Sequence, residues 1–557
     1  MSRLTLLVSA LVALAAGALS AFGFAPESQW PAAVAGIAIL IGLIGIAPRP
    51  RTAFLYGWLF GTGHFTFGLT WIATAFTFQA KMPPMLGWVA VVLLSMFLAL
   101  YVGLAALVTR VIARDVIGRT LVFAAAWMLA EWLRGWVLSG FAWNPLGAAA
   151  LSMNGLGQLA SYIGALGLSG LVVLAGGSLW AIADPTRGLR GSLGQRSISA
   201  LLGGGIAVTA SLAAGLNTDT YYPQNPALVI IQPNIGQDIK YAPGADEAHL
   251  RTYLEMTNSA LNGSNEARSD GSDSGPLDPV LGTDAAPAVD VAPPPAPASE
   301  SIAAAPAERR PTIVLWPESA VFGLVEEDPA LRARLASVLG PGDLLLFGGV
   351  AAVRNARGEV TALTNSLFVL DAKGNLHGRY DKAHLVPLGE YVPARALMEA
   401  IGLARLTPGD IDFQAGPGPR TLALPTMPAV GVQICYEIIF AGAVVDPANR
   451  PQWLANISND AWFGPSGPPQ HLAQTRLRAI EEGLPVARAT PTGISAIIDA
   501  HGNVIAASRL GEASITTAPL PPALPPTLFA GMGHLASGIF GLLLLIVGVA
   551  VDRARRI

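Results

Sequence analysis

The sequence predicts a multi-span α-helical membrane domain joined to a layered α/β domain, and two observations carry this prediction. Of the 557 residues, 52% are hydrophobic and only 13% are charged, whereas a soluble protein carries about 25% charged residues. The shortage of charge is confined to the first 216 residues and to the extreme C-terminal segment. The region between them alternates short β-rich runs with helical stretches, as expected for a layered α/β domain.

Eight apolar stretches are candidates for membrane-spanning helices. A helix needs about 20 apolar residues to cross a hydrocarbon core of roughly 30 Å. The second and the eighth stretch are short and would cross with little tilt. The predicted spans are about 4–24, 31–47, 53–78, 85–109, 120–139, 159–183, 198–216 and 535–551.

The arginine residues predict how these spans are oriented. Arginines precede the first span and follow the second, fourth, sixth and eighth spans. In the short loops on the other side of the membrane, Lys81 is the only basic residue. Cytoplasmic loops collect Lys and Arg, so both termini are predicted to be cytoplasmic and residues 217–534 to lie outside the cytoplasm. A cleaved signal peptide is the alternative interpretation of the first span. It is disfavoured because the alternation requires that span in place.

The pattern divides the chain into three parts. Residues 1–216 form the membrane domain with about seven helices, residues 217–534 form the outer domain, and residues 535–557 form the last span and a cytoplasmic tail. Residues 263–310 are rich in Ala, Pro, Ser, Asp and Gly, which predicts a disordered insertion. The formal net charge of -3 gives no reason to expect a nucleic-acid partner.

Continuous apolar runs in the outer domain predict strands that are covered on both faces. The predicted strands are 227–232, 312–316, 344–350, 365–370, 429–435 and 453–457, and the predicted helices are about 245–262, 328–339 and 469–483.

Three motifs bring reactive side chains to this domain: Glu318 in WPES, Lys382 in YDKAHLVPLGEY and Cys435 in ICYE. Each has an ordinary explanation, because a Glu caps a helix, a loop Lys is solvated, and an isolated Cys is a small buried apolar residue. Together they are the set that thiol chemistry requires. A thiol with a pKa near about 8.5 is mostly protonated at neutral pH, a carboxylate can take its proton, and an ammonium can stabilise thiolate and oxyanion.

The order of these motifs, followed by SNDAWFG at 458–464 and HLAQTRLRAIEEGLPVARATPTG, resembles the nitrilase superfamily. The resemblance implies an α-β-β-α sandwich with Glu318 as general base and Cys435 as nucleophile. Lys382 would stabilise the oxyanion together with the backbone N–H of Tyr436.

The resemblance also implies supporting residues. Glu390 and Glu437 would orient and polarise the reactive set. Neither a metal nor another cofactor is implied.

With several spans before the domain and one after it, the chain resembles the membrane-embedded branch of this superfamily in the bacterial inner membrane. The resemblance implies that Cys435 takes an acyl chain from a phospholipid, as a thioester. The acyl chain then passes to the α-amine of an N-terminal S-diacylglyceryl cysteine on a lipoprotein. The implied partners are this phospholipid donor, this lipoprotein acceptor and membrane lipids, and a monomer is favoured.

Aromatic residues near the motifs are candidates for contacts with lipid tails, because the short tethers hold the domain close to the membrane. Tyr391, Trp462 and Phe463 are the candidates, and ordinary core packing explains them equally well. The family often carries a Trp shortly after the first strand of the domain. Here that stretch has Tyr241, so the ring is retained but the role of the Trp does not carry over directly.

Other interpretations remain. A membrane-tethered amidohydrolase acting on a small periplasmic amide would use the same Glu-Lys-Cys set, with water as the acceptor. A transporter or scaffold with an inactive outer domain is a third interpretation. It is weakened by the intact Glu-Lys-Cys set and by the few charged residues in the spans.

A few polar residues lie inside the predicted spans. Within the fifth span, Glu131 and Arg134 are spaced to pair on one helix face, and His64 lies among glycines as a helix-packing residue.

Overall fold

The computed structural model describes residues 2–78, 83–153, 155–183, 225–240, 242, 244–266, 310–387, 389–392 and 413–555. The seventh predicted span, most of the 263–310 insertion and the candidate residue Tyr241 therefore lie outside the described residues.

Each predicted span within the described residues corresponds to a helix. Five described helices are long and apolar enough to cross a membrane by length and composition, and Trp30–Ile46 is a shorter apolar helix. The helices of this domain are α1 (Arg3–Ala21), α2 (Trp30–Ile46), α3 (Pro50–Gly68), α4 (Trp71–Ala75), α5 (Met85–Ile112), α6 (Val116–Arg134) and α7 (Ala160–Ala183).

Two of these helices differ by more than three residues at one end or both from the predicted spans. The third predicted span reached residue 78, but α3 ends at Gly68 because Leu69 leaves the helical conformation at φ -119°. The fifth was predicted to cover 120–139, but α6 covers Val116–Arg134 and so lies closer to the N-terminus at both ends. The side chain of Asp115 accepts hydrogen bonds from two N–H groups of its first turn, which is a preferred N-cap arrangement.

Small residues allow α1 and α3 to pack closely. A Cβ atom added to Gly17 would lie 1.9 Å from the carbonyl oxygen of Phe60. At this crossing the Nδ1 atom of His64 lies 2.7 Å from the Oγ atom of Ser20. His64 is therefore a helix-packing residue in the structure.

The described part of the outer domain contains two six-stranded sheets. The strands are β1 (Ala227–Gln232), β2 (Thr312–Leu315), β3 (Leu344–Arg354), β4 (Val360–Asp371), β5 (Leu376–Asp381), β6 (Thr421–Leu424), β7 (Met427–Ile434), β8 (Trp453–Ile457), β9 (Val486–Ala489), β10 (Ala496–Ile498), β11 (Val504–Ala507) and β12 (Ser514–Pro519). In the first sheet the order is β12-β1-β2-β3-β4-β5, and in the second it is β11-β10-β9-β8-β7-β6.

The two sheets lie face to face between helical layers. Along β1, Leu228 and Ile230 belong to the core between the sheets, whereas Val229 and Ile231 pack towards the outer helices. This alternation is the period of two that a strand imposes. The remaining α-helices of the described residues are α8 (Gln237–Lys240), α9 (Ala245–Glu266), α10 (Pro329–Ala336), α11 (Gly467–Glu482), α12 (Leu528–Met532) and α13 (His534–Ala554).

Helix α11 joins the outer domain to the membrane helices. Helix α7 is interrupted at Gly164, which has φ +64°, and the N–H of Ala165 donates to the carboxylate of Glu481 on α11 at 2.7 Å. The second sheet is therefore covered by a helix that itself rests on α7, and the predicted α-β-β-α sandwich is confirmed.

Candidate active site

Three segments that follow strands converge on one buried site. Glu318 follows β2, Lys382 follows β5 and Cys435 follows β7. The Nζ atom of Lys382 lies 3.4 Å from Oε1 of Glu318 and 3.0 Å from Oε2 of Glu390. The side chains of Glu318, Lys382, Glu390 and Cys435 are all buried. Cys435 lies close enough for the charges of Glu318 and Lys382 to act on its thiol, so the structure brings the predicted reactive set together.

Glu318 is held by donors on both carboxylate oxygens. The side-chain amide of Asn365 donates to Oε1 at 2.7 Å, and the backbone N–H of Asn459 donates to Oε2 at 2.8 Å. The turn that carries Glu318 lies directly on β3, where a Cβ atom added to Gly348 would be 2.6 Å from the Glu318 Cα atom. These contacts fix the carboxylate in one orientation.

Glu390 is the second carboxylate that faces the ammonium group of Lys382. It accepts from the amide of Asn365 at 2.8 Å and from the N–H of Val386 at 2.8 Å. Burial disfavours the charged ammonium, but the charges of Glu390 and Glu318 outweigh burial and hold the pKa of Lys382 above its usual range. The site therefore keeps a positive charge.

Cys435 occupies a strained position at the end of β7. Its φ is +52°, a left-handed conformation that non-glycine residues adopt rarely and that is often found at functional sites. Burial, and next the charge of Glu318, raise the pKa of the thiol to about 12, while Lys382 acts to lower it. The thiol is therefore protonated at neutral pH.

Glu437 ties the Lys382 loop to the Cys435 loop. One carboxylate oxygen accepts from the Tyr380 hydroxyl at 2.8 Å and from the N–H groups of Ala383 and His384 at 2.7 and 3.1 Å. The other oxygen accepts from the N–H of Ile434 at 2.7 Å. Burial raises the pKa of this carboxyl group, and its four donors connect the ends of β5 and β7.

The predicted aromatic residues have different surroundings. The Tyr436 hydroxyl donates to the carbonyl of Gly140 at 3.1 Å, in the segment between α6 and α7. Phe463 packs on Trp71 and Trp143, with ring centroids 4.7 and 5.5 Å apart. Trp462 meets Phe78 at 5.7 Å, and Tyr391 is half-buried. Phe463 and Trp462 therefore lie where the outer domain meets the membrane helices.

The charged pair on α6 does not form in the way that its spacing suggested. Glu131 accepts from Trp127, from the N–H of Leu146 and from Ser169, whereas Arg134 donates to the carbonyls of Phe141 and Trp143 at 3.0 and 2.7 Å. Both side chains are buried. Each binds the connection between α6 and α7, which we call the 137–152 segment.

Sequence reasoning missed several residues that support the site. Asn365 bridges the two carboxylates, and Asn459 donates its N–H to Glu318. A buried cluster of Asp460, His471 and Arg488 lies behind Cys435. Some of these lie in motifs that carry the resemblance, but an Asn or a His there has no distinctive spacing. Among the described residues, no group of three His, Cys, Asp or Glu side chains could hold a metal ion.

Comparison with known families fits this architecture. The model described as the apolipoprotein N-acyltransferase N-terminal domain matches residues 16–178, and the carbon-nitrogen hydrolase model matches residues 288–524. The apolipoprotein N-acyltransferase of Bradyrhizobium diazoefficiens is 35% identical over 98% of this chain and 96% of that protein. The chain belongs to the apolipoprotein N-acyltransferase family. Relatives of that name in Rhodopseudomonas palustris and Caulobacter vibrioides are 33% and 34% identical, over 97% and 98% of this chain and 94% of each relative.

Solved structures of the nitrilase superfamily also match the chain. A mutant amidase from Nesterenkonia AN1 aligns with a TM-score of 0.32 and 14% identity, over 54% of this chain and 93% of that chain. Nit3 of Saccharomyces cerevisiae aligns with a TM-score of 0.33 and 14% identity, over 55% and 93%.

Membership in the apolipoprotein N-acyltransferase family confirms the sequence-based recognition. The chain is an acyltransferase with a carbon-nitrogen hydrolase domain. The amidohydrolase interpretation is not favoured.

Proposed function

We propose that the protein transfers an acyl chain from a phospholipid to the α-amine of an N-terminal S-diacylglyceryl cysteine on a lipoprotein. The observation that carries the proposal is the shared burial of a carboxylate, an ammonium and a thiol at Glu318, Lys382 and Cys435. The names of the relatives supply the class of acceptor. The contact of this domain with membrane helices through α11 supports substrates that stay in the bilayer.

In the first half-reaction, the Cys435 sulfur attacks the ester carbonyl of the phospholipid while Glu318 takes the thiol proton. The oxyanion that forms is stabilised by Lys382 and by the N–H of Tyr436. When the tetrahedral intermediate collapses, the C–O bond breaks and Glu318 returns the proton to the leaving alkoxide. The products are a lysophospholipid and a thioester on Cys435.

In the second half-reaction, the acceptor amine attacks the thioester carbonyl and Glu318 takes a proton from the amine. Collapse breaks the C–S bond, and the thiolate of Cys435 recovers the proton. The product is an amide, and the enzyme returns to its starting state. Such a scheme is ping-pong, because the first product leaves before the second substrate reacts.

We also assign supporting roles to the surrounding residues. Glu390 keeps Lys382 charged and in place, and Glu437 fixes the loop of Lys382 against that of Cys435. The aromatic rings of Phe463 and Trp462 lie between the outer domain and the membrane helices, which suits contacts with acyl chains. We propose no cofactor, and a monomer.

The proposed location is the bacterial inner membrane, with the outer domain in the periplasm and both termini in the cytoplasm. In the structure, Asp552 near the end of α13 accepts from the backbone N–H groups of Arg114 and Asp115 at 2.6 and 2.7 Å. The side chain of Arg555 lies 3.5 Å from Asp115, and that of Arg110 donates to the carbonyl of Ala47 at 2.9 Å, so arginines of several loops lie near one end of α6. At the other end of α6, helix α11 contacts the 137–152 segment through Gln470 and Trp143. The positive-inside tendency supports a cytoplasmic position for the arginine-rich end.

The decisive experiment is intact-protein mass spectrometry of the purified enzyme in detergent with a phospholipid and no acceptor. We expect one added acyl mass on Cys435 that hydroxylamine removes, and its consumption by a diacylglyceryl-cysteine peptide to give the N-acyl peptide. Cys435→Ala is the matched control and should gain no mass. If folded wild-type enzyme with a reactive thiol stays unmodified, the phospholipid-donor proposal is wrong. If water alone consumes the adduct, the amidohydrolase alternative is favoured.

A further inference from the structure

A fully buried cluster of His471, Asp460 and Arg488 lies directly behind the Cys435 loop. His471 Nε2 is 3.2 Å from the carbonyl oxygen of Cys435. Its Nδ1 atom is 3.0 Å from Nη2 of Arg488 and 3.2 Å from Oδ1 of Asp460. Nη2 of Arg488 also donates to Oδ2 of Asp460 at 2.6 Å. None of these three side chains takes part in the half-reactions above.

The neighbours of His471 determine which ring nitrogen carries hydrogen. Nε2 faces the carbonyl oxygen of Cys435, which only accepts, and Nδ1 faces the guanidinium of Arg488, which only donates. The hydrogen of the neutral ring is therefore on Nε2, and Nδ1 accepts from Arg488 rather than donating to Oδ1 of Asp460. Burial, and next the charge of Arg488, lower the pKa of His471, which favours this neutral form. A charged ring would carry hydrogen on Nε2 as well. In both forms Nε2–H donates to the carbonyl of Cys435.

This hydrogen bond acts on the group that faces the substrate. The carbonyl of Cys435 and the N–H of Tyr436 belong to one planar peptide unit and point in opposite directions. A donor that holds the carbonyl therefore also holds the direction of the N–H. The restraint is needed because Cys435 is strained at φ +52°, and such conformations persist only where the surroundings fix them.

We propose that His471 is a positioning residue that aims the Tyr436 N–H at the oxyanion by holding the Cys435 carbonyl, with Arg488, itself held by Asp460, donating to its Nδ1 atom. The inference rests on the proposed acyl transfer and adds a residue to it.

The membrane side of the molecule supports the same ring. Trp143 of the 137–152 segment lies against His471 with ring centroids 5.1 Å apart. Its Nε1–H donates to Oε1 of Gln470, the preceding residue of α11, at 2.8 Å. The position of His471 therefore depends on how α11 is seated on the membrane helices.

The test compares His471→Leu, His471→Gln and His471→Asn in single-turnover acylation of Cys435 by phospholipid, followed by intact-protein mass spectrometry. A Gln side chain places an N–H donor as many bonds from Cβ as Nε2 of His, whereas the Asn amide reaches only the Nδ1 position. We expect Leu and Asn to slow acylation roughly 10- to 100-fold with little change in the half-saturating phospholipid concentration. We expect Gln to stay within a few-fold of wild type.

Alkylation of Cys435 by iodoacetamide separates this role from a general loss of structure, because alkylation forms no oxyanion. Its rate should be unchanged in all three variants. Thr475→Val is the matched control. Thr475 is buried on α11, and among the described residues its hydroxyl donates only to the carbonyl of His471 within the helix, at 3.0 Å. It should acylate at the wild-type rate.

Two results would overturn the proposal: a folded Gln variant as slow as the Leu variant, or a Leu variant that loses alkylation as much as acylation. A wild-type enzyme that forms no thioester would instead refute the proposed function, so the two failures are distinguishable.

Discussion

At the scale of single residues, the thiol of Cys435 is not prepared as a thiolate. Burial and the charge of Glu318 raise its pKa to about 12, so the resting site pairs a neutral thiol with a carboxylate. The ammonium of Lys382 stays charged, because Glu390 and Glu318 hold its pKa above the usual range. Proton transfer to Glu318 must therefore accompany the attack of sulfur on the donor.

The charge states of Cys435 and Lys382 predict that the rate of acylation falls only on the acidic side of its pH profile. The acylation rate constant should fall in acid, because a carboxylate accepts a thiol proton only while it is ionised. It should stay level from neutral pH to about pH 10, because neither the thiol nor Lys382 loses its proton in that range. Single-turnover acylation measured from about pH 4 to about pH 10 checks this.

The matched control for the profile is Glu318→Gln, which keeps the shape of the side chain and removes the base. It should not acylate at any pH. A wild-type rate that stays level down to about pH 4 would count against Glu318 as the base. A fall on the alkaline side below about pH 10 would contradict the charge assigned to Lys382 or to the thiol.

At the scale of secondary-structure elements, continuous apolar runs predicted strands correctly, whereas short strands of mixed polarity could not be predicted from the sequence. The run at 227–232 predicted β1 with its observed bounds, because six consecutive residues suit a strand that is buried on both faces. Strands β5 and β6 and the four strands from β9 to β12 were missed. They are short, and β12 carries Ser and Thr that pair with β1 across the edge of the sheet, a long-range contact that local pattern does not reveal.

The same distinction applies to the site. Glu318, Lys382 and Cys435 were predicted because their chemistry requires one another. Asn365 and His471 were missed because their roles depend on where the chain folds back. Asn365 bridges two carboxylates from different loops. His471 meets the carbonyl of a residue 36 positions away.

The contacts of the 137–152 segment predict that helix α6 in the membrane domain influences acylation of Cys435. Arg134→Met would leave the carbonyls of Phe141 and Trp143 without their donor, at a cost of about 1–3 kcal/mol for each buried group. Because this segment also contacts Tyr436 and Gln470, we expect acylation of Cys435 to fall roughly tenfold or more. Mass spectrometry of the thioester measures this rate.

A matched control exists at the opposite end of the membrane domain. Arg110 also donates from a membrane helix to a backbone carbonyl, that of Ala47, at 2.9 Å, but far from the site. Arg110→Met should acylate normally. Equal losses in the two variants would indicate general damage to the membrane domain and would contradict a specific role for the segment.

At the scale of the whole molecule, helix α13 extends from the outer domain to the arginine-rich end of the membrane helices. The helix has 21 residues and is therefore about 30 Å long, which matches the hydrocarbon core of a bilayer. Near its start, Ser537 donates to the carbonyl of Ile163 beside the kink of α7, at 2.7 Å. Near its end, Asp552 binds the loop that contains Arg114. The two ends of α13 should thus lie on opposite sides of the membrane.

This arrangement predicts opposite accessibility for two single cysteines introduced into the Cys435→Ala protein. Lys373→Cys, in the exposed turn between β4 and β5, should react with a membrane-impermeant maleimide in intact spheroplasts. Ala554→Cys, exposed at the end of α13, should react only after permeabilisation. The Cys435→Ala parent controls for background labelling. This pattern is expected because positive charge is retained on the cytoplasmic side of the membrane. The reverse labelling pattern would place the outer domain in the cytoplasm, away from exported lipoproteins. It would contradict both the proposed orientation and the proposed lipoprotein acceptor.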